Sequence, residues 1–443
     1  MLGTMQKYFD YRGATGCGFP PVTPVAHAER NGCGTPDTFS GWMPVFALWQ
    51  VDRTRNLGPM ADVATRASYL HFPLPRFYTT AFTMALAPLS TPLTNLLNIQ
   101  HPIMLAGMDQ VAGPELAAAV TNAGGFGTLG GARYTPKMLR EMIAEMKELL
   151  RNKNAPFGVD LLLPQVGGSA RKTNYDYTKG NLNELLDIVI ESGATLFVSA
   201  VGVPPQWAIE KIHKAGVLYG NVIGHPKHVH KACRAGADII IAQGGEAGGH
   251  TGDIATSVLI PACADICKQY VSPLTSKPVT LVAAGGINDG RSVAAALMLG
   301  ASGVWIGTRF IVSKESKASR IFKDQVIAAD YDSWVKLPVW SGRPLRALRN
   351  PWLTDWEVNR QQEIKELMDK GVVPLEFELD KLHKAGKLTD EIEDAAALRP
   401  IGVVGGSVNK SGQSAQEIVD EIVQETVIVL NSAASFVNPV AKL

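Results

Sequence analysis

Two neighbouring segments constrain the fold of this chain more than any others. Pro278-Val-Thr-Leu-Val-Ala-Ala-Gly-Gly-Ile-Asn-Asp-Gly290 runs from a β-branched, apolar stretch straight into glycines, and Gly303-Val-Trp-Ile-Gly-Thr-Arg-Phe310 repeats the pattern one helix later. Continuous apolar runs such as Val279 to Ala284 and Val304 to Ile306 mark strands buried on both faces, hence parallel strands. The order is strand, glycine turn, helix (Arg291 to Leu299), strand, glycine turn. Glycines at the carboxyl ends of two successive parallel strands let backbone N–H groups close on a phosphate, because no Cβ blocks the approach. The feature predicts a barrel that holds a phosphorylated cofactor at this rim.

The chain supplies the other strands. Runs at Ile103 to Ala106, Gly125 to Leu129, Phe157 to Leu163, Thr195 to Ala200, Val217 to Ile223 and Asp238 to Ala242 bring the count to eight. Helix patterns lie between them, and Gly-Ala or Ala-Gly pairs mark the helix ends by the left-handed cap that glycine tolerates. Eight alternations predict an α/β fold, a (β/α)8 TIM barrel over residues 86–318, with a doubly wound open sheet as the alternative. Residues 319–443 carry helix patterns at Ser319 to Ala328, Asp355 to Lys370, Leu379 to Lys384 and Gln416 to Leu430, and are expected as a helical extension packed on the barrel. Thr251 to Ser276 is longer than a simple connection and predicts a helix around Cys263. Residues 1–85 hold neither period and are expected as a loosely ordered N-terminal extension. Met84 would serve as a start, leaving the first 83 residues as an artefact of the gene model.

Composition excludes several function classes. With 42 basic and 41 acidic residues the net charge is +1, so neither nucleic acid nor an anionic membrane has electrostatic support. No apolar run reaches the length that spans a bilayer, and a soluble protein is expected. Five scattered cysteines give no disulfide framework and point to a reducing compartment. Cys263 and Cys267 sit four apart without further ligands, so no metal is expected. Ala441-Lys442-Leu443 is a variant of the Ser-Lys-Leu peroxisomal tripeptide, which leaves a cytoplasmic or a peroxisomal location open.

The richest polar region is Gly224-His-Pro-Lys-His-Val-His230 with Gln243-Gly-Gly-Glu-Ala-Gly-Gly-His-Thr-Gly252. Both blocks follow expected strands and therefore belong at the catalytic mouth. Pro226 suits the first position of a helix, which puts His228 beside the positive end of the dipole. A neutral imidazole there is poised to accept a proton, so His228 is the first choice of base and His250 the second. A zinc site at His225 and His228 lacks fitting further ligands. The glycines of Gln243 to Gly249, and Gly107 after the first strand, allow close approach of backbone to a planar ring. Asp160 puts a polar side chain inside the third strand, where it needs a partner. Arg343, Arg346 and Arg349 crowd Ser341 to Asn350 and are expected on a solvated, salt-bridged face, with contact to an acidic substrate as the alternative.

Taken as a set, His101-Pro-Ile-Met-Leu-Ala-Gly-Met108, Gly158-Val-Asp-Leu161, His225-Pro-Lys-His228, Gln243 to His250, Ala283-Ala-Gly-Gly-Ile287 and Gly307-Thr-Arg-Phe310 resemble the nitronate monooxygenases, FMN-dependent (β/α)8 enzymes. The resemblance implies FMN held by Ala106, Gly107, Met108, Asp160, Gln243, Gly244, Gly249, Gly286, Trp305, Ile306, Gly307 and Thr308, and a catalytic histidine at His228. The family often carries asparagine where this chain has Asp160, and an acid donates to a flavin only when protonated. The implied reaction is oxidation of an alkyl nitronate by O2 to a carbonyl compound and nitrite. A nicotinamide-dependent flavin reductase is one alternative, and a non-catalytic barrel that binds a phosphorylated ligand is another.

Overall fold

The structure is a computed structural model that describes residues 87–437. The N-terminal extension, Cys17, Cys33 and the terminal tripeptide lie outside the described residues. Eight parallel strands form a nearly closed barrel: β1 (Ile103–Leu105), β2 (Gly127–Gly131), β3 (Phe157–Leu162), β4 (Leu196–Ala200), β5 (Leu218–Ile223), β6 (Ile239–Gln243), β8 (Thr280–Ala284) and β9 (Gly303–Ile306). They follow the order β1-β9-β8-β6-β5-β4-β3-β2. A single parallel bridge between Met104 and Phe126 closes the ring. The (β/α)8 expectation is met, and the open sheet is excluded.

Two layers of side chains account for the continuous apolar runs. Met104, Leu196, Val198, Ile239, Ile241, Val282 and Trp305 fill the inside of the barrel, and Leu93 and Leu97 of the short helix Pro92–Leu97 join them. Alternate residues such as Leu105, Phe197, Tyr219, Ile240, Leu281 and Val304 pack outward in the larger core that the surrounding helices share. A strand so placed has no polar face to show.

β2 departs most from its expected bounds. The expected span is Gly125 to Leu129, and the strand instead runs through Gly130 and Gly131. A Cβ at Gly130 would lie 2.5 Å from the Met108 nitrogen, and one at Gly131 would lie 2.6 Å from the Asp160 carbonyl oxygen. These glycines continue the strand because neighbouring backbone leaves no room for a side chain.

Thr251 to Ser276 is not surplus to the barrel. It holds the wall helix Thr256–Cys267, whose Leu259, Ile260 and Cys263 are buried in the outer core. The C-terminal part divides. Helix Ala415–Ala433 packs on helices Gly290–Met298 and Pro114–Asn122, and its Ile418, Val419 and Ile422 belong to the barrel core. It is the wall helix that follows β9, so residues 312–414 interrupt that connection. The interruption contains helices and two strands absent from the sequence reading, β10 (Trp334–Leu337) and β11 (Leu345–Leu348). They form an antiparallel three-stranded sheet with β7 (Gly249–His250). Among the described residues no helix is long and apolar enough to cross a membrane.

Candidate active site

The carboxyl ends of the strands carry the strain and the open glycines. Three non-glycine residues adopt left-handed backbone just past strand ends: Asp109 after β1, Arg133 after β2 and Val201 after β4, with φ of 50°, 65° and 60°. Such conformations persist where surrounding structure enforces them, commonly at ligand sites. After β8, Gly285 and Gly286 have φ of 86° and 72°, and a Cβ at Gly285 would lie 2.8 Å from the Gly244 carbonyl oxygen. The β6 and β8 turns therefore touch through backbone alone. Gly307 faces Ala106 and the Met108 thioether, where an added Cβ would sit 3.4 Å from each, which brings the β9 turn beside the β1 turn. Ala106, Gly107, Met108, Gln243, Gly244, Gly286, Trp305, Ile306, Gly307 and Thr308 thus lie at or beside the same rim. The Thr308 hydroxyl accepts from the Gly402 N–H at 3.0 Å, which fixes its side chain and leaves its O–H and its backbone to a ligand.

The glycine-rich loop after β6 is anchored at several points. Gln243 donates through Nε2 to the His250 carbonyl at 3.0 Å. The Glu246 carboxylate accepts from the Thr256 N–H at 3.0 Å and hydroxyl at 2.8 Å, which caps the following wall helix. Arg346 is 5% exposed and donates to the carbonyls of Gly245 and Ala247, with its guanidinium 4.3 Å from the Trp334 ring centroid. This corrects the expectation of a solvated arginine face. The chain brings Arg346 back as part of β11, and the glycine loop supplies carbonyls for a planar donor. Arg349, by contrast, is exposed and pairs with Glu357. On the other side, a Cβ at Gly248 would lie 2.7 Å from the Ile401 carbonyl carbon.

The two histidines are placed very differently. His228 is exposed in the first turn of helix Pro226–Ala235. Burial and then Lys227, His225 and Lys231 lower its pKa, and its ring neighbour is His225 at 5.8 Å. His250 lies in β7, paired with Leu345 of β11, and its Nε2 is 2.8 Å from the Ser341 hydroxyl. Burial pushes its pKa down to about 4, and Arg343 and Arg133 push in the same direction. His250, at the end of the glycine loop, is tied to Gln243 through its carbonyl and to Ser341 through its ring, while His228 stands exposed in the first turn of its helix. Sequence reasoning missed Arg133 and the part played by Ser341, and placed Arg343 and Arg346 only in an arginine stretch with acidic-substrate contact as the alternative, because each meets the site through a tertiary contact with no local motif.

Arg133, Tyr175, Tyr177 and Arg343 form the outer collar. The Arg133 guanidinium lies 5.6 Å from the Tyr177 ring centroid and 6.0 Å from that of Tyr175. Burial and neighbouring Arg171 both lower the Arg343 pKa. Like charges held close at a cleft mouth favour an anionic occupant. Among the described residues no group of three or more His, Cys, Asp or Glu side chains could hold a metal ion, and Cys233, Cys263 and Cys267 are buried free thiols.

A flavin fits the residues present. Asp160 is 6% exposed inside the barrel with Oδ1 unpartnered, as is the Thr128 hydroxyl on the adjoining strand. Gly107 lets the Asp160 carboxyl pack directly against the β1 turn, since an added Cβ would come within 2.2 Å of Oδ2. Buried polar atoms without protein partners, beside the turn at Gly107, call for a polar ligand.

Comparison with known proteins agrees. The nitronate monooxygenase family model matches residues 90–425. A Staphylococcus saprophyticus protein named "Probable nitronate monooxygenase" is 34% identical over 293 residues, covering 60% of this chain and 80% of that protein. A Mycobacterium tuberculosis protein named as an octahydro-indene-carboxyl-CoA dehydrogenase is 35% identical over 261 residues, covering 59% of this chain and 66% of that one. The solved structure of FabK from Thermotoga maritima superposes with a TM-score of 0.62 at 28% identity, covering 79% of this chain and all of that one. With the matched region spanning the barrel and its last wall helix, the chain belongs to the nitronate monooxygenase family of flavin oxidoreductases.

Proposed function

We propose that this chain is an FMN enzyme that oxidises alkyl nitronates, and nitroalkanes after loss of their α-proton, with O2 to a carbonyl compound and nitrite. The observation that carries this reading is a half-buried His250, its pKa pushed down to about 4, held by Ser341 beneath a cationic collar. When bound, FMN supplies the redox chemistry, taking an electron from the nitronate and passing it to O2. Its ring would be received by the Ala106–Met108 turn, Asp160, Gln243 and Gly249, and its phosphate by the backbone at Gly286, Gly307 and Thr308. His250 accepts the α-proton of a neutral nitroalkane because its imidazole is free of charge at neutral pH. Arg133 and Arg343 favour the nitronate anion that results, and the segment from Ser341 to Leu345 limits water over the histidine.

The expected result is a yellow protein as purified that releases nitrite from a nitronate in air. NADH added without oxygen should leave the flavin spectrum unchanged. A second reading is a flavin oxidoreductase that exchanges hydride with a nicotinamide cofactor and acts on a CoA-linked acid. It draws on the arginine collar and on the CoA-ester dehydrogenase among the relatives, and rapid bleaching by NADH would select it. A protein that takes up no flavin would leave the phosphorylated-ligand binder. We also take residues 86–318 as the unit that carries the barrel strands, with 319–443 as an extension that returns the last wall helix to it. Ala441-Lys442-Leu443 we take as a peroxisomal address, to be tested by moving it onto a fluorescent reporter.

A further inference from the structure

Asp160 has the least accommodated carboxyl group inside the barrel. It lies on β3 between Gly130 of β2 and Val198 of β4, 6% exposed, with no hydrogen-bond partner for Oδ1. The other oxygen packs against the β1 turn at Gly107, where an added Cβ would come within 2.2 Å of it. The groups that face this region are Asp109 past β1, and Thr128, Arg133 and Tyr134 on or past β2. None of them neutralises it. Tyr134 gives its hydroxyl hydrogen to the Gly130 carbonyl, and both Asp109 and Asp160 raise its pKa further beyond the effect of burial. Arg133 opposes the shift on Asp109, which burial raises to about 6. For Asp160 burial acts alone, and it raises the group to about 8.

A buried carboxylate with neither a donor nor a cation is strongly disfavoured, so the side chain is an uncharged acid at neutral pH. An uncharged acid has a hydrogen to give, as an amide in its place would. We propose that Asp160 holds the flavin as a neutral carboxylic acid, donating its O–H to an acceptor on the ring, so that the protein binds flavin tightly below the ionisation of this group and releases it above. The inference rests on the FMN reading. It makes Asp160 a binding residue whose grip depends on pH, where an amide would bind independently of pH.

The test equilibrates holoprotein across about pH 6.5 to 9.5 and reads released FMN by its fluorescence, with circular dichroism confirming that the fold persists. Wild type and Asp160→Asn are compared, so that titration of Asp109, Tyr134 and the FMN phosphate cancels. The expected affinity of the wild type falls by about tenfold per pH unit once the acid ionises, while Asp160→Asn shows no such fall. A wild-type affinity that stays level with the variant, or improves with pH, means that a carboxylate is the partner and overturns the proposal. Infrared difference spectra of the two holoproteins at neutral pH give a second check. A protonated-carboxyl band should be present in the wild type and lost in Asp160→Asn, and its absence from the wild type equally overturns the proposal. A protein that takes up no FMN at any pH overturns the FMN reading and this one with it.

Discussion

His250→Asn should lower kcat/KM for a neutral nitroalkane by roughly 10²–10⁴-fold, the usual loss on removing a positioned base. Activity on the pre-ionised nitronate should fall by less than about tenfold, because that substrate needs no proton abstraction. His228→Asn should leave both activities within about threefold, as expected for an exposed side chain without site contacts. The pH profile carries the same assignment. Since the base has a pKa of about 4, nitroalkane activity should be level from pH 6 to 8 and drop only as pH approaches that value. Equal losses on the two substrates in His250→Asn, or the split appearing in His228→Asn, would return the role to the helix. The histidine also links pH to stability. Its folded pKa lies below the ordinary 6.5, so the unfolded chain binds more protons between the two values. The contribution is complete above pH 6.5 and is lost as pH falls toward 4.

The second large effect is expected at Arg346. Arg346→Met keeps the apolar stem but leaves the buried carbonyls of Gly245 and Ala247 without their donor. Each such orphan costs about 1–3 kcal/mol, so roughly 2–6 kcal/mol of loop stability is at stake. The loop carries Glu246, which caps the next wall helix, and ends at His250. Both thermal stability and flavin content should therefore fall together. Arg346→Lys should recover only part of each, since an ammonium lacks the planar fork. A variant with full flavin load and an unchanged melting temperature would show that the loop stands without the arginine.

These two residues also mark what could be read from sequence. The barrel was legible because buried parallel strands must be apolar on both faces and their ends must turn on glycine, and both signals are local. The rim was legible for the same reason. The surroundings of the two histidines were less so. Pro226 announced the helix start that carries His228, and the structure leaves that side chain exposed in the first turn. The setting of His250 depends on Ser341 and Leu345, roughly ninety residues away in sequence. Arg346 looked like one of three arginines in a charged stretch, and nothing nearby reveals that two strands form around it. Gly130 and Gly131 misled in the opposite sense, since glycine ends a strand in one context and admits a crowding neighbour in another.

The single bridge that closes the barrel has a dynamic consequence. Between β3 and β4 five residue pairs are in register, whereas β1 and β2 meet only where Met104 pairs with Phe126. Directly above that junction the Met108 backbone presses on Gly130, in the turn assigned to the cofactor. Loss of flavin should therefore unlatch the cylinder along one line instead of loosening it evenly. Amide hydrogen exchange is expected to quicken first at Leu105 and Phe126, whose N–H groups cross the junction, and to slow there when flavin returns. On this account the cofactor is also the clasp of the barrel.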